Sequence, residues 1–71
     1  MGTSEQILYM QVRIARMLSQ RRGLTLSQAA GLLETSGGFA YIEDSWGLFH
    51  VEGDEAVYDD VCAFLDQAVV A

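Results

Sequence analysis

"ILYMQVRIARMLSQ", residues 7–20, decides the fold. Wound at about 100° per residue, Met17, Met10, Ile14, Ile7, Leu18, Ala15, Leu8 and Val12 fill an arc of roughly 220°, with Gln11 as the only polar intruder. Arg13, Arg16 and Gln20 share the narrow polar remainder. An apolar arc this wide exceeds what one face of a small bundle covers. It predicts a helix that is central to the domain, or one whose edge is buried by another chain. Met10, Ile14, Met17 and Leu18 are the expected interface, with the methionines as adaptable contacts. On that reading, Met10→Asp or Met17→Asp abolishes association. Thr3 and Gln6 have capping-box spacing at the start of this helix. Arg21 and Arg22 suit its negative end, and Gly23 terminates it.

The chain downstream repeats the helical theme. Thr25 and Gln28 form a second capping-box pair, and Leu26, Ala29, Ala30 and Leu33 follow at helical spacing. This second helix ends between Thr35 and Gly38. In "FAYIEDSWGLFHVEG", residues 39–53, Phe39, Tyr41 and Ile42 fit either extended backbone or a helical turn. Asp44 or Ser45 is placed to cap a short helix from Trp46 to His50, which Gly47 weakens. From Asp54 onward, Val57, Tyr58, Val61, Cys62, Phe64, Leu65, Ala68 and Val69 occupy an arc of roughly 160°, with Asp59, Asp60, Asp66 and Gln67 opposite. The expected fold is all-α. It is one domain over residues 1–71, a small compact bundle of three main helices plus one short helix, with a helix-turn-helix-like topology among its allowed arrangements.

Size and composition narrow the function classes. A chain of 71 residues has a small core and needs a staple, a partner or dense packing. Cys62 is the only cysteine, so no internal disulfide forms, and one Cys with one His cannot build a zinc site. Neither a metal nor a cofactor is expected. Hydrophobic residues make up 51% of the chain, which favours packing and association. The polar start MGTSEQ carries no targeting pattern, and no run approaches the ~18 apolar residues of a membrane span. A cytoplasmic protein with no membrane partner is the expectation.

The net charge is −6 and it is segregated. All four basic residues are arginines between positions 13 and 22, whereas nine of the ten acids lie from Glu34 onward. The simpler consequence is a surface whose two halves attract each other. The sharper one is a two-signed surface that docks a partner or a second copy. Residues 24–44, "LTLSQAAGLLETSGGFAYIED", have the cadence of a DNA-reading helix-turn-helix. Yet the recognition position, Gly37 to Trp46, offers Glu43 and Asp44 and no Arg, Lys, Asn or Gln. A small DNA-binding regulator is therefore the second reading, and nucleic acid is not the favoured partner.

Candidate chemistry is sparse. His50 is the only histidine, beside Glu52, Asp54 and Glu55. It suits a general base or a pH switch, but more simply caps the end of a short helix and packs on Trp46. Cys62 falls on the apolar arc of the last helix, where a thiol is inert. The acid run "EGDEAVYDD" lacks the spacing of a calcium loop. Trp46, Phe49, Tyr41, Phe39 and Tyr9 read as core before they read as a pocket. No catalytic set, metal set or small-molecule site emerges, leaving His50 as the one possible polar site.

"YIEDSWGLFHVEGDEAVYDDVCAFL", residues 41–65, resembles the short bacterial proteins of a domain-of-unknown-function family, the one numbered thirty-seven ninety-one. Tyr41 and Ile42, Trp46, Phe49, His50, Gly53 and the pair Asp60–Val61 carry the resemblance, while Gly47 and Val51 depart from the usual Asp and Thr. The resemblance implies no assigned activity. Its members tend to lie beside toxin-like genes, including ADP-ribosyltransferase-like ones, which implies an accessory or antitoxin-like partner protein. The combined expectation is a non-enzymatic interaction module that binds another protein or a second copy of itself.

Overall fold

The computed structural model describes residues 2–70, with side chains through Gln67. Five helices follow in order: α1 (Thr3–Arg22), α2 (Leu26–Ser36), α3 (Gly38–Asp44), α4 (Trp46–Phe49) and α5 (Asp54–Val70), with no strand among the described residues. The all-α expectation holds. The helix count differs by one, because "GFAYIED" forms a helix of its own, the helical one of the two alternatives for Phe39, Tyr41 and Ile42.

Helix α1 is central, packing against α2, α3 and α5. The middle of its apolar arc goes inward, and Ile14 and Leu18 are both 0% exposed, with Ala15 beside them. Ala29 and Leu33 of α2, Ile42 of α3, Phe49 of α4, and Val57, Tyr58, Val61 and Leu65 of α5 complete the core. The α5 residues are those of the predicted arc. Ala68 and Val69, assigned to the same arc, lie outside the residues whose side chains are described.

The helix ends follow the chain's own polar and glycine signals, with two exceptions. At α1, the capping position belongs to Gly2, whose carbonyl accepts from the Gln6 amide at 3.2 Å, and no side chain caps. Thr3 sits one residue inside the helix, so the expected Thr3–Gln6 box does not form. Gly23, at φ +67°, and Leu24 both donate backbone N–H to the Ser19 carbonyl, closing the C-terminus. At α2 the capping box is complete: the Gln28 amide donates to Thr25 Oγ1 at 3.0 Å, and the Thr25 amide donates to Gln28 Oε1 at 2.9 Å. At α4, Ser45 holds the capping position without a side-chain bond, and the helix ends at Phe49 with His50 as its C-cap.

One turn joins α2 to α3, and its two glycines act differently. Gly37 adopts φ +86°, a left-handed conformation that disfavours a Cβ. Gly38 is needed for space: a Cβ there would meet Leu33 Cδ2 at 2.8 Å and the Leu33 carbonyl oxygen at 3.3 Å. Leu33 is fully buried and has no room to swing aside. By contrast, Gly31 of α2 has open space where a Cβ would point. Gly38→Ala is thus expected to destabilise by about 1–3 kcal/mol through overpacking. Gly31→Ala should stabilise by about 0.5–1 kcal/mol through helix propensity. Thermal melts followed by circular dichroism should move in opposite directions, and equal shifts would contradict this account of the turn.

Aromatic residues of segment 39–53 tie α3 to α5 and α4 to α3. Tyr41 stacks on Phe64, with ring centroids 4.5 Å apart and 8° between planes. It also meets Phe49 edge-on at 5.5 Å and 78°. Gln11, the polar intruder on the α1 arc, uses Nε2 to donate to the Phe39 carbonyl at 3.0 Å and so ties α3 to α1.

Candidate functional site

Helix α1 carries more apolar surface than its neighbours cover, and the way it is covered defines the candidate site. The arc is sheltered from its centre outward. Ile14 and Leu18, expected at an interface, belong wholly to the domain's own core. Surface open to a partner lies elsewhere on the arc. Met10 and Met17, on one rim of the arc, are half-buried against the same core. The opposite rim stays open, with Leu8 59%, Val12 42% and the adjoining Tyr9 63% exposed. Leu8 and Val12 were not selected by sequence reasoning, and Tyr9, read there as core, is exposed instead. The available signal was their place at the edge of the arc, farthest from its Leu18–Ile14 centre.

Tyr9 also borders an open groove of about 410 Å³, whose other lining residues are Gln6, Met10, Trp46 and His50. The groove thus lies between the first half of α1 and the short helix α4. His50 stands at its polar end. Its Nδ1 donates to the Trp46 carbonyl at 2.9 Å, and its backbone amide donates to the same oxygen. The carbonyl can only accept, so Nδ1 carries its proton and Nε2 faces the other way. The Trp46 and His50 rings lie 6.4 Å apart. This is the capping and packing role that the sequence suggested for His50. Gly47 and Val51, the two departures from the family pattern, are exposed beside it.

Charge is organised within the chain. Arg13 pairs with Asp54, Arg21 with Glu55, and Arg22 with Asp66 at 3.6 Å, which clasps basic α1 to acidic α5. The segregated charges therefore meet intramolecularly. Arg21 also lies over the Tyr58 ring at 4.8 Å. Arg16 makes no ion pair among the described residues. The hydrogen bond from Arg13, with its charge, holds the Asp54 carboxyl below its ordinary range. A carboxyl lowered in the folded state adds stability above the unfolded value of about 3.9, and that stability is lost as pH falls through the folded value. Asp54→Asn should accordingly lower Tm slightly at neutral pH, with the difference from wild type shrinking toward pH 3 and in high salt. A difference that persists at low pH would point to a packing role instead.

Cys62 is half-buried and unpaired. It lies beside Tyr58, whose phenol is pushed up chiefly by burial and further by its hydrogen bond with Cys62. Among the described residues, no group of three or more His, Cys, Asp or Glu is placed to hold a metal ion, and no helix is long and apolar enough to cross a membrane.

The molecule is thus a small all-α protein with an uncovered apolar rim on its central helix. It belongs to the family described as "Protein of unknown function (DUF3791)", matched over residues 10–68. The match takes in Met10, Val12, Trp46 and His50, and starts after Leu8 and Tyr9. Neither the curated proteins nor the solved structures contain a match to the chain.

Proposed function

We propose that this chain is a non-enzymatic interaction module that docks another protein, or a second copy of itself, through the first half of α1. The observation that carries the reading is the uncovered rim of Leu8, Tyr9 and Val12, which meets the groove at Tyr9. Large apolar side chains at helical spacing on a well-formed helix suit a helix-packing partner. The groove supports docking over catalysis. Its lining of Gln6, Tyr9, Met10, Trp46 and His50 holds no carboxylate or thiol, and the Nδ1 of His50 is engaged by a helix carbonyl. An accessory or antitoxin-like role is one setting for such a module.

A DNA-binding regulator is the weaker reading. Three of the four arginines face carboxylates of α5, and α3, in the recognition position, exposes Glu43 and Asp44. Phosphate contact would require breaking those pairs.

The test compares wild type with Leu8→Asp/Val12→Asp for molar mass in solution and for co-purification of a partner. Loss of association in a folded variant supports the reading. Unchanged association, or duplex DNA retained at low salt and released as salt rises, overturns it.

A further inference from the structure

We propose that the occupant of the α1 rim is a second copy of this chain, its α1 laid antiparallel across a two-fold axis. The inference rests on the docking reading above and adds the partner and the register.

Opposite charges flank the rim. Glu5, Leu8, Tyr9, Val12 and Arg16 recur at spacings of three and four, so they lie along one side of the helix, and all five are exposed. Glu5 marks one end of this strip and Arg16 the other. Neither makes an ion pair within the chain among the described residues, although the other three arginines do. The strip is therefore apolar in the middle, negative at one end and positive at the other. It is electrically balanced on a protein that carries −6 overall.

Such a strip complements itself when reversed. A two-fold axis passing between residues 10 and 11 sets Glu5 against Arg16 of the second copy and Tyr9 against its Val12. The symmetry then repeats both pairs, as an isologous interface requires. A parallel arrangement would set Glu5 against Glu5 and Arg16 against Arg16, which repel. A generic basic partner would satisfy Glu5 but leave Arg16 opposed. Three apolar side chains per copy make a small contact, below the ~1,200 Å² of a standard interface, so the pair forms at micromolar or higher concentration.

Sedimentation equilibrium from about 10 µM to about 1 mM, with circular dichroism to verify folding, tests the proposal. Wild type is expected to shift from monomer to dimer across this range. Glu5→Arg and Arg16→Glu each replace two attractions by two repulsions and should weaken dimerisation roughly tenfold or more. The double swap Glu5→Arg/Arg16→Glu should restore it. A wild type that stays monomeric overturns the proposal. So do single swaps that dimerise as wild type does, or a double swap no better than the singles. If Leu8→Asp removes association while the charge swaps leave it intact, the rim docks a protein but the antiparallel register is wrong. The docking reading then survives without this inference.

Discussion

Leu18→Ala is expected to lower Tm by more than about 10 °C and to leave a large unfolded fraction at physiological temperature. Leu18 is fully buried on α1, the helix that packs against α2, α3 and α5. Truncating a buried leucine costs about 2–5 kcal/mol in transfer and cavity terms. A domain of this size rarely holds more than about 3–5 kcal/mol in total. Ile14→Ala should behave alike, since Ile14 is equally buried. A thermal melt and a urea titration check this, and a Tm within a few degrees of wild type would mean that Leu18 is not core. The result separates two roles that helical periodicity alone merges, because Ile14 and Leu18 share the arc with the residues left for docking.

The opposite outcome is expected for Leu8→Asp/Val12→Asp. Leu8 is 59% and Val12 42% exposed and neither belongs to the core, so charges there displace no core atom and Tm should stay within a few degrees of wild type. Association should nevertheless weaken on the order of a hundredfold or more, because the burial of two apolar side chains per copy is lost and a carboxylate must be desolvated instead. Sedimentation and melting of the same sample read both quantities. Met10→Asp and Met17→Asp are less clean probes. Both methionines lean on the core, so a charge at either position disturbs folding together with docking.

What the sequence made legible followed from local signals. The complete box at Thr25 and Gln28 and the terminator Gly23 are short-range chemistry, and they appear as read. The α5 arc was equally plain because Val57, Val61 and Leu65 stand opposite acids. Two features escaped. Helix α3 was hidden because Gly37 and Gly38 look like a loop, whereas one serves the left-handed turn and the other the close approach to Leu33. The exposed rim was not singled out because an apolar arc of α1 says how much surface must be covered, not which side the neighbours cover. That depends on where α2, α3 and α5 settle, a tertiary fact absent from periodicity. The pairing of Arg13, Arg21 and Arg22 with α5 was foreshadowed by the charge split, but the individual partners were not.

The proposed seat of a second copy of the chain is the first half of α1. Backbone amide chemical shifts recorded by NMR on dilution from about 1 mM to about 10 µM test it most directly, residue by residue. The account predicts concentration-dependent shifts concentrated between Glu5 and Arg16, with smaller ones at Trp46 and His50 across the groove and none in the core of α5. Shifts that are flat throughout, or that cluster on α2 or α5 while α1 stays silent, would contradict it.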